Sequence, residues 1–227
     1  MTRLVDAALD AAGLVLQGVV ATTGLTLPDE AGRFRQLLVF AHAGRRIWQA
    51  SKVRADHDNR LDRFSEDLIV DFMERIGETD FQLLYPRDYF AVDLAQLGEQ
   101  LGWQHRSPLG IGIHPEYGTW FAYRAVVAAD TNFELTRESL PHPCRACPDK
   151  PCLQACPASA LDETNFNFEA CSDHRLQQDS TCASRCLARL ACPVGSHYRY
   201  DDEQIHYHYK RSLAAIRAYQ NVNPLES

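Results

Sequence analysis

Cys144-Arg145-Ala146-Cys147-Pro148-Asp149-Lys150-Pro151-Cys152-Leu153-Gln154-Ala155-Cys156-Pro157 is the stretch on which the architecture turns. It carries half of the eight cysteines of a 227-residue chain; the others are Cys171, Cys182, Cys186 and Cys192. Residues 1–143 and 193–227 contain none. Residues Met1–Leu9 lack the basic start and apolar run of an export signal, so a cytoplasmic location is expected. There thiols stay reduced, and clustered cysteines read as metal ligands before disulfides. Residues 140–196 are rich in Cys and Pro, with little hydrophobic periodicity, as in a segment that folds around its ligands.

The first group is Cys144-x2-Cys147-x4-Cys152-x3-Cys156-Pro157. A cubane iron–sulfur cluster needs thiolates arrayed around it, and short loops supply three of them in sequence. The bacterial ferredoxin run is C-x2-C-x2-C-x3-C-P, and its fourth cysteine ligates the other cluster of a pair. The longer second gap here resembles ferredoxin-type subunits of molybdenum oxidoreductases. The second group, Cys171, Cys182-x3-Cys186 and Cys192-Pro193, is irregular but repeats the Cys-Pro ending. Two [4Fe-4S] clusters with crossed fourth ligands then take Cys144, Cys147, Cys152 and Cys192, and Cys156, Cys171, Cys182 and Cys186. A single cluster, a zinc site, which usually uses two C-x2-C pairs where one occurs here, and disulfides are the other readings of this spacing.

Hydrophobic residues are 45% and charged residues 23% of the chain, which excludes a disordered or collagen-like protein. No apolar run approaches the ~18 residues of a membrane span. Residues 1–140 carry 14 basic and 20 acidic side chains, and residues 141–227 carry nine and ten. Neither part is basic, which weighs against nucleic acid as a partner.

Periodicity predicts helices over 3–13, Asp58–Ile76, Val92–Leu101 and from Asp201 onward. The stripe Leu61, Phe64, Leu68, Phe72 and Ile76 marks the second of these, and Asp201 is the candidate N-cap of the last. Strands are predicted at Leu14–Ala21, Leu37–Ala41 and Phe81–Tyr85. Ile111–His114 and Thr119–Ala129 read as a hairpin across Pro115-Glu116-Tyr117-Gly118. The fold class is α+β. Three parts follow: 1–139 as the α+β domain, 140–196 as the iron–sulfur segment, and 197–227 as a closing C-terminal helix packing on the first domain.

Residues 111–127 read Ile-Gly-Ile-His-Pro-Glu-Tyr-Gly-Thr-Trp-Phe-Ala-Tyr-Arg-Ala-Val-Val. This segment resembles the His-Pro-x-[Phe/Tyr]-Gly-x-Trp-Phe-Ala-x-Arg-x-Val-Val motif of the cobalamin-processing family of cyanocobalamin reductases and alkylcobalamin dealkylases. Arg199-Tyr200-Asp201-Asp202-Glu203-Gln204 resembles that family's Arg-Tyr-Ser-Glu-Glu-Gln segment. In plan the chain is also similar to epoxyqueuosine reductases and reductive dehalogenases, and Leu101-Gly102-Trp103-x-His105 resembles a stretch of the former. Tyr85-Pro86-Arg87-Asp88 stands where epoxyqueuosine reductases carry a Val-Asp-Ser-Ala-Pro stretch with the catalytic acid, and their tRNA-binding repeats have no counterpart.

The resemblance implies a nitroreductase-like corrinoid-binding layer joined to a ferredoxin-like [4Fe-4S] segment. It implies a cobalamin as cofactor or substrate, and electrons from a reductase or a reduced ferredoxin or flavodoxin. The implied corrinoid contacts are His114, Tyr117, Gly118, Trp120, Phe121 and Arg124, with Tyr123 a further candidate. His114 reads either as a cobalt ligand or as a turn-fixing histidine, and Arg124 either as an anion or amide contact or as the partner of an acid. Asp88 is the candidate proton donor, a role that needs burial to raise its pKa. His206 and His208 point roughly 200° apart on a helix and cannot share a metal. Three functions remain open: an oxidoreductase that reduces or dealkylates a corrinoid, a ferredoxin-like electron carrier, and an epoxyqueuosine-reductase-like enzyme.

Overall fold

The computed structural model describes residues 2–53 and 59–222. Met1, Asp58 and residues 223–227, on which parts of the sequence reading fall, lie outside them. The chain divides into two units: Met1–His105 with Trp120–Pro141, and Arg106–Thr119 with His142–Ser227.

The first unit is built on a four-stranded antiparallel sheet. Its strands are β1 (Leu16–Ala21), β2 (Gln36–Ala43), β3 (Phe81–Tyr85) and β6 (Phe121–Ala129), in the order β1-β2-β6-β3. All eight residues of β2 are buried, and so are all of β6 except Ala122. Both strands therefore read as mostly apolar rather than alternating runs, interrupted by Gln36, His42 and Arg124. Helices cover the two faces. A Cβ on Gly18 of β1 would lie 2.7 Å from Trp103, just past α4 (Leu94–Leu101). Val39 pairs with Gly18 and shares that face. The next residue, Phe40, points the other way and meets Phe72 of α3 (Arg60–Arg75) edge-on at 5.7 Å. Two shorter helices, α1 (Ala7–Ala12) and α2 (Arg46–Ser51), pack on each other. Trp48, Trp103 and Trp120 are fully buried.

Local chemistry sets the boundaries. The predicted 3–13 helix shortens to α1 because Asp6 caps it, accepting the Leu9 N–H at 2.8 Å, and Gly13 ends it at φ 104°. Likewise Asp93 accepts the Ala95 and Gln96 N–H groups, and Gly102 closes α4 in the left-handed region. Helix α3 buries Leu61, Ser65, Ile69, Phe72 and Met73. Phe64 and Leu68 are only half-buried and Ile76 is exposed, so its inner face is rotated from the predicted stripe.

The predicted hairpin is corrected. Gly112–Ile113 (β5) pairs with His105–Arg106 (β4) in a separate two-stranded ribbon, and β6 pairs with β2 and β3. His114 bridges only to Gly118. A strand buried on both faces and both edges needs two neighbours, and the nearest turn supplied neither.

The second unit has little regular structure before its last helix. It contains α5 (Pro151–Gln154), α6 (Phe168–Leu176), α7 (Leu187–Ala191) and α8 (Asp202–Val222). Helix α8 belongs with the cysteine segment, where it packs against α6. Asp201 caps α8, accepting the Gln204 N–H at 2.8 Å. No helix among the described residues is long and apolar enough to cross a membrane.

Candidate metal centres

Most of the cysteines sit on or beside short elements that local chemistry fixes. His142 caps the single turn Pro143–Ala146, its Nδ1 accepting the Cys144 N–H at 3.3 Å. Lys150, at φ 37°, turns the chain into α5 with Pro151 in its first turn, and an ion pair to Glu163 holds that lysine. Helix α5 carries Cys152, and Cys156 follows. Asn167 caps α6, which carries Cys171. Cys186 caps α7 with its own sulfur, accepting the Arg189 N–H at 3.3 Å, and Cys192 ends that helix. Helices α5 and α7 pack together on a small core of Leu109, Cys152 and Ala188.

The eight cysteines are all free thiols. Burial pushes Cys144 up to about 11, and the charges of Cys192, Cys152 and Cys147 add to the rise. Burial also pushes Cys171 up to about 11, reinforced by Cys186, Cys156 and Cys182 and opposed by Arg175. Cys152 and Cys192 feel each other and Cys147, and Cys186 feels Cys182.

Four close thiols that repel one another's charge give up their protons only to a positive partner. Among the described residues no group of three or more His, Cys, Asp or Glu side chains is placed to hold a metal ion, so the arrangement does not by itself support the predicted clusters. The second set opens on a cavity of about 630 Å³ lined by Cys156, Cys171, Cys182 and Cys186.

The turn His114–Gly118 is packed against the loop after Cys192. Gly118 (φ 61°) and Gly195 (φ 63°) meet backbone to backbone: a Cβ on Gly118 would overlap the Val194 carbonyl, and one on Gly195 the Tyr117 carbonyl. Tyr117 stacks edge-on against Tyr198 at 4.7 Å, and the Tyr198 hydroxyl donates to Glu116 at 2.7 Å. Arg189 of α7 donates to the Thr119 carbonyl at 2.5 Å. His114 is buried, its Nδ1 accepting the Glu116 and Tyr117 N–H groups at 3.0 and 3.2 Å, the turn-fixing role.

Trp120, Phe121, Tyr123, Arg124 and Asp88 belong to the first unit. Tyr123 is buried against α4 and donates to Gln104 at 2.8 Å. Arg124 is buried with Asp62 at 3.4 Å, so it has an acid partner. Asp88 is exposed and accepts the Phe90 N–H at 2.8 Å, which stabilises a turn. It lacks the burial that a proton-donating carboxyl needs. His206 hydrogen-bonds the Asp202 carbonyl, and His208 packs beside Tyr200 and Tyr207. Sequence reasoning missed Arg175, Arg189 and Tyr209, which surround the second thiol set. An arginine four residues after Cys171 was the available signal.

No family model matches the chain, and no curated protein matches it significantly. Among solved structures it is similar to CblC of C. elegans, a B12-trafficking protein described as a homologue of human MMACHC. The match covers 86% of this chain and 85% of that one at 14% identity, with a TM-score of 0.45. A likeness of that degree identifies no ligand or reaction.

Proposed function

We propose that the protein is an iron–sulfur oxidoreductase that delivers single electrons to a cobalamin-type corrinoid, reducing or dealkylating it. Cys144, Cys147, Cys152 and Cys192 would hold one [4Fe-4S] cluster and Cys156, Cys171, Cys182 and Cys186 the other. The observation that supports the redox half of this reading is that eight free cysteines lie within one unit and that four of them, Cys156, Cys171, Cys182 and Cys186, line one cavity. One-electron transfer is the chemistry such clusters supply when bound. The chain's own part is to fix the thiols on short capped turns, and to limit water around Cys152, Cys182 and Cys192, which are buried.

The corrinoid half rests on the resemblance of residues 111–127 and 199–204. The cavity beside the second set offers a largely apolar lining, including Leu109, Phe166, Phe168 and Ile216, of the kind small cofactors and substrates use. A ferredoxin-like carrier without catalysis shares the clusters and lacks the corrinoid.

An anaerobic titration of cluster-reconstituted protein with cob(II)alamin, followed by visible absorption and EPR, separates the two. The expected result is a saturable shift of the cobalt signal to the base-off form. Intact cluster signals with no cobalt shift would leave the electron carrier, and reconstituted protein that binds no iron would overturn both.

A further inference from the structure

The cavity of about 630 Å³ lies wholly within the second unit, and its volume is that of a small-molecule site. One wall is a ladder of rings. Gly110, at φ 70°, lets the Phe166 ring lie on its backbone, where a Cβ would stand 2.4 Å from the ring. Phe166 meets Phe168 edge-on at 6.4 Å, and Phe168 meets Tyr219 edge-on at 6.0 Å. All three line the cavity; Phe168 and Tyr219 are also exposed, which puts them at its opening. Such a ladder offers ring faces and edges to a flat aromatic guest.

The charge of the lining has one sign. Arg175, Arg185 and Arg189 line the cavity, and among the described residues no Asp or Glu does. Arg175 is 8% exposed, and its hydrogen bonds go to neutral acceptors. Its Nε–H donates to the Cys182 carbonyl at 3.2 Å, Nη1–H to the Ser212 hydroxyl at 3.0 Å and Nη2–H to the Tyr209 carbonyl at 3.2 Å. A guanidinium has five N–H groups, so two remain for a guest. Among the described residues no carboxylate pairs with Arg175 or Arg185. A buried cation is costly without a counter-charge. On the same helix, Ser172 Oγ and His174 Nε2 are buried beside the cavity with no hydrogen-bond partner among the described residues. Buried polar atoms left in that state cost stability until something satisfies them.

We infer that this cavity binds a small aromatic carboxylate, its ring against the Phe166–Phe168–Tyr219 ladder and its carboxylate drawn to Arg175 and Arg185. A planar carboxylate matches the guanidinium fork. The inference uses the lining alone and needs neither a cluster nor a corrinoid.

The test is a calorimetric titration of the full-length, reduced protein with 2-naphthoate, and with 2-naphthylmethanol as its neutral counterpart. The expected result is one saturable naphthoate site per chain, with naphthylmethanol about tenfold weaker. Arg185→Gln should remove that preference, and Phe168→Ala should weaken both probes. Arg106→Gln, an exposed cation of the same unit that does not line the cavity, should change neither.

Equal affinity for the two probes, or no saturable site, overturns the inference. So does naphthoate binding that neither Arg185→Gln nor Phe168→Ala alters, since the guest then sits elsewhere. If Arg185→Gln fails to fold by circular dichroism, the two-probe comparison in wild type and Phe168→Ala decides on the same terms. Repeating the titration after iron reconstitution separates this inference from the cluster reading. Naphthoate binding retained beside bound iron supports the inference, and binding lost on iron uptake overturns it and leaves the cavity to the cluster. Protein that takes up naphthoate and no iron supports the inference while overturning the clusters.

Discussion

The two units are held together by opposite means. The first buries all of β2, all of β6 but Ala122, and three tryptophans beneath helices on both faces, so apolar area removed from water supplies its stability. The second places short helices, α5 and α7, on a core of three buried residues, one of them a cysteine. Isolated helices of that length do not hold themselves in water. The lesson is that one chain can join a unit stabilised by broad apolar burial to a segment of short helices with far less buried apolar area.

The sharpest way to break this comparison is to remove the ligands. Cys192→Ala in reconstituted protein is expected to lose one cluster's iron and amide-exchange protection across residues 142–195, with β2 and β6 still protected. Protection retained in both units would show that the cysteine segment folds without metal.

The converse substitution, Trp103→Ala, is expected to cost about 3–5 kcal/mol in the denaturant unfolding of the first unit and to leave the iron content unchanged. A smaller effect is expected at the glycine contact. Gly118→Ala imposes a left-handed backbone and a clash with Val194, a cost on the order of 1–3 kcal/mol, measured by thermal unfolding. Iron at the Cys192 set should fall with it.

The smallest effect concerns pH. Cys144 and Cys171 titrate at about 11 when folded, against 9.0 for the free thiol. Between those values the unfolded state has lost protons that the folded state keeps, so stability falls as pH rises. Metal-free, reduced protein should therefore melt at progressively lower temperature from pH 9 to 11. Iron-loaded protein, whose thiolates are already ligated, should not.

Much of the first unit is legible from local rules. Phe81–Tyr85 is a strand as read, α4 ends at Leu101 before Gly102 as read, and α8 begins at the predicted cap Asp201, because cap and period are written within a few residues. The partners of β6 are not legible. Alternation and turn chemistry identify strands without saying which distant segment satisfies their edges, and Pro115-Glu116-Tyr117-Gly118 serves a loop 76 residues further on rather than a hairpin. The scarcity of long regular elements between residues 142 and 195 is readable in the Cys and Pro content of that stretch. Arg175 and Tyr209 are not, since they act through tertiary contacts made across α6 and α8.

The meeting of Gly118 with Val194 closes a long loop of chain with neither a disulfide nor a helix pair. In polymer terms the cost of such closure grows only with the logarithm of contour length, so doubling the intervening chain adds about 0.6 kcal/mol. The contact therefore tolerates long insertions between its ends, yet a single methyl group on either glycine would pry it open.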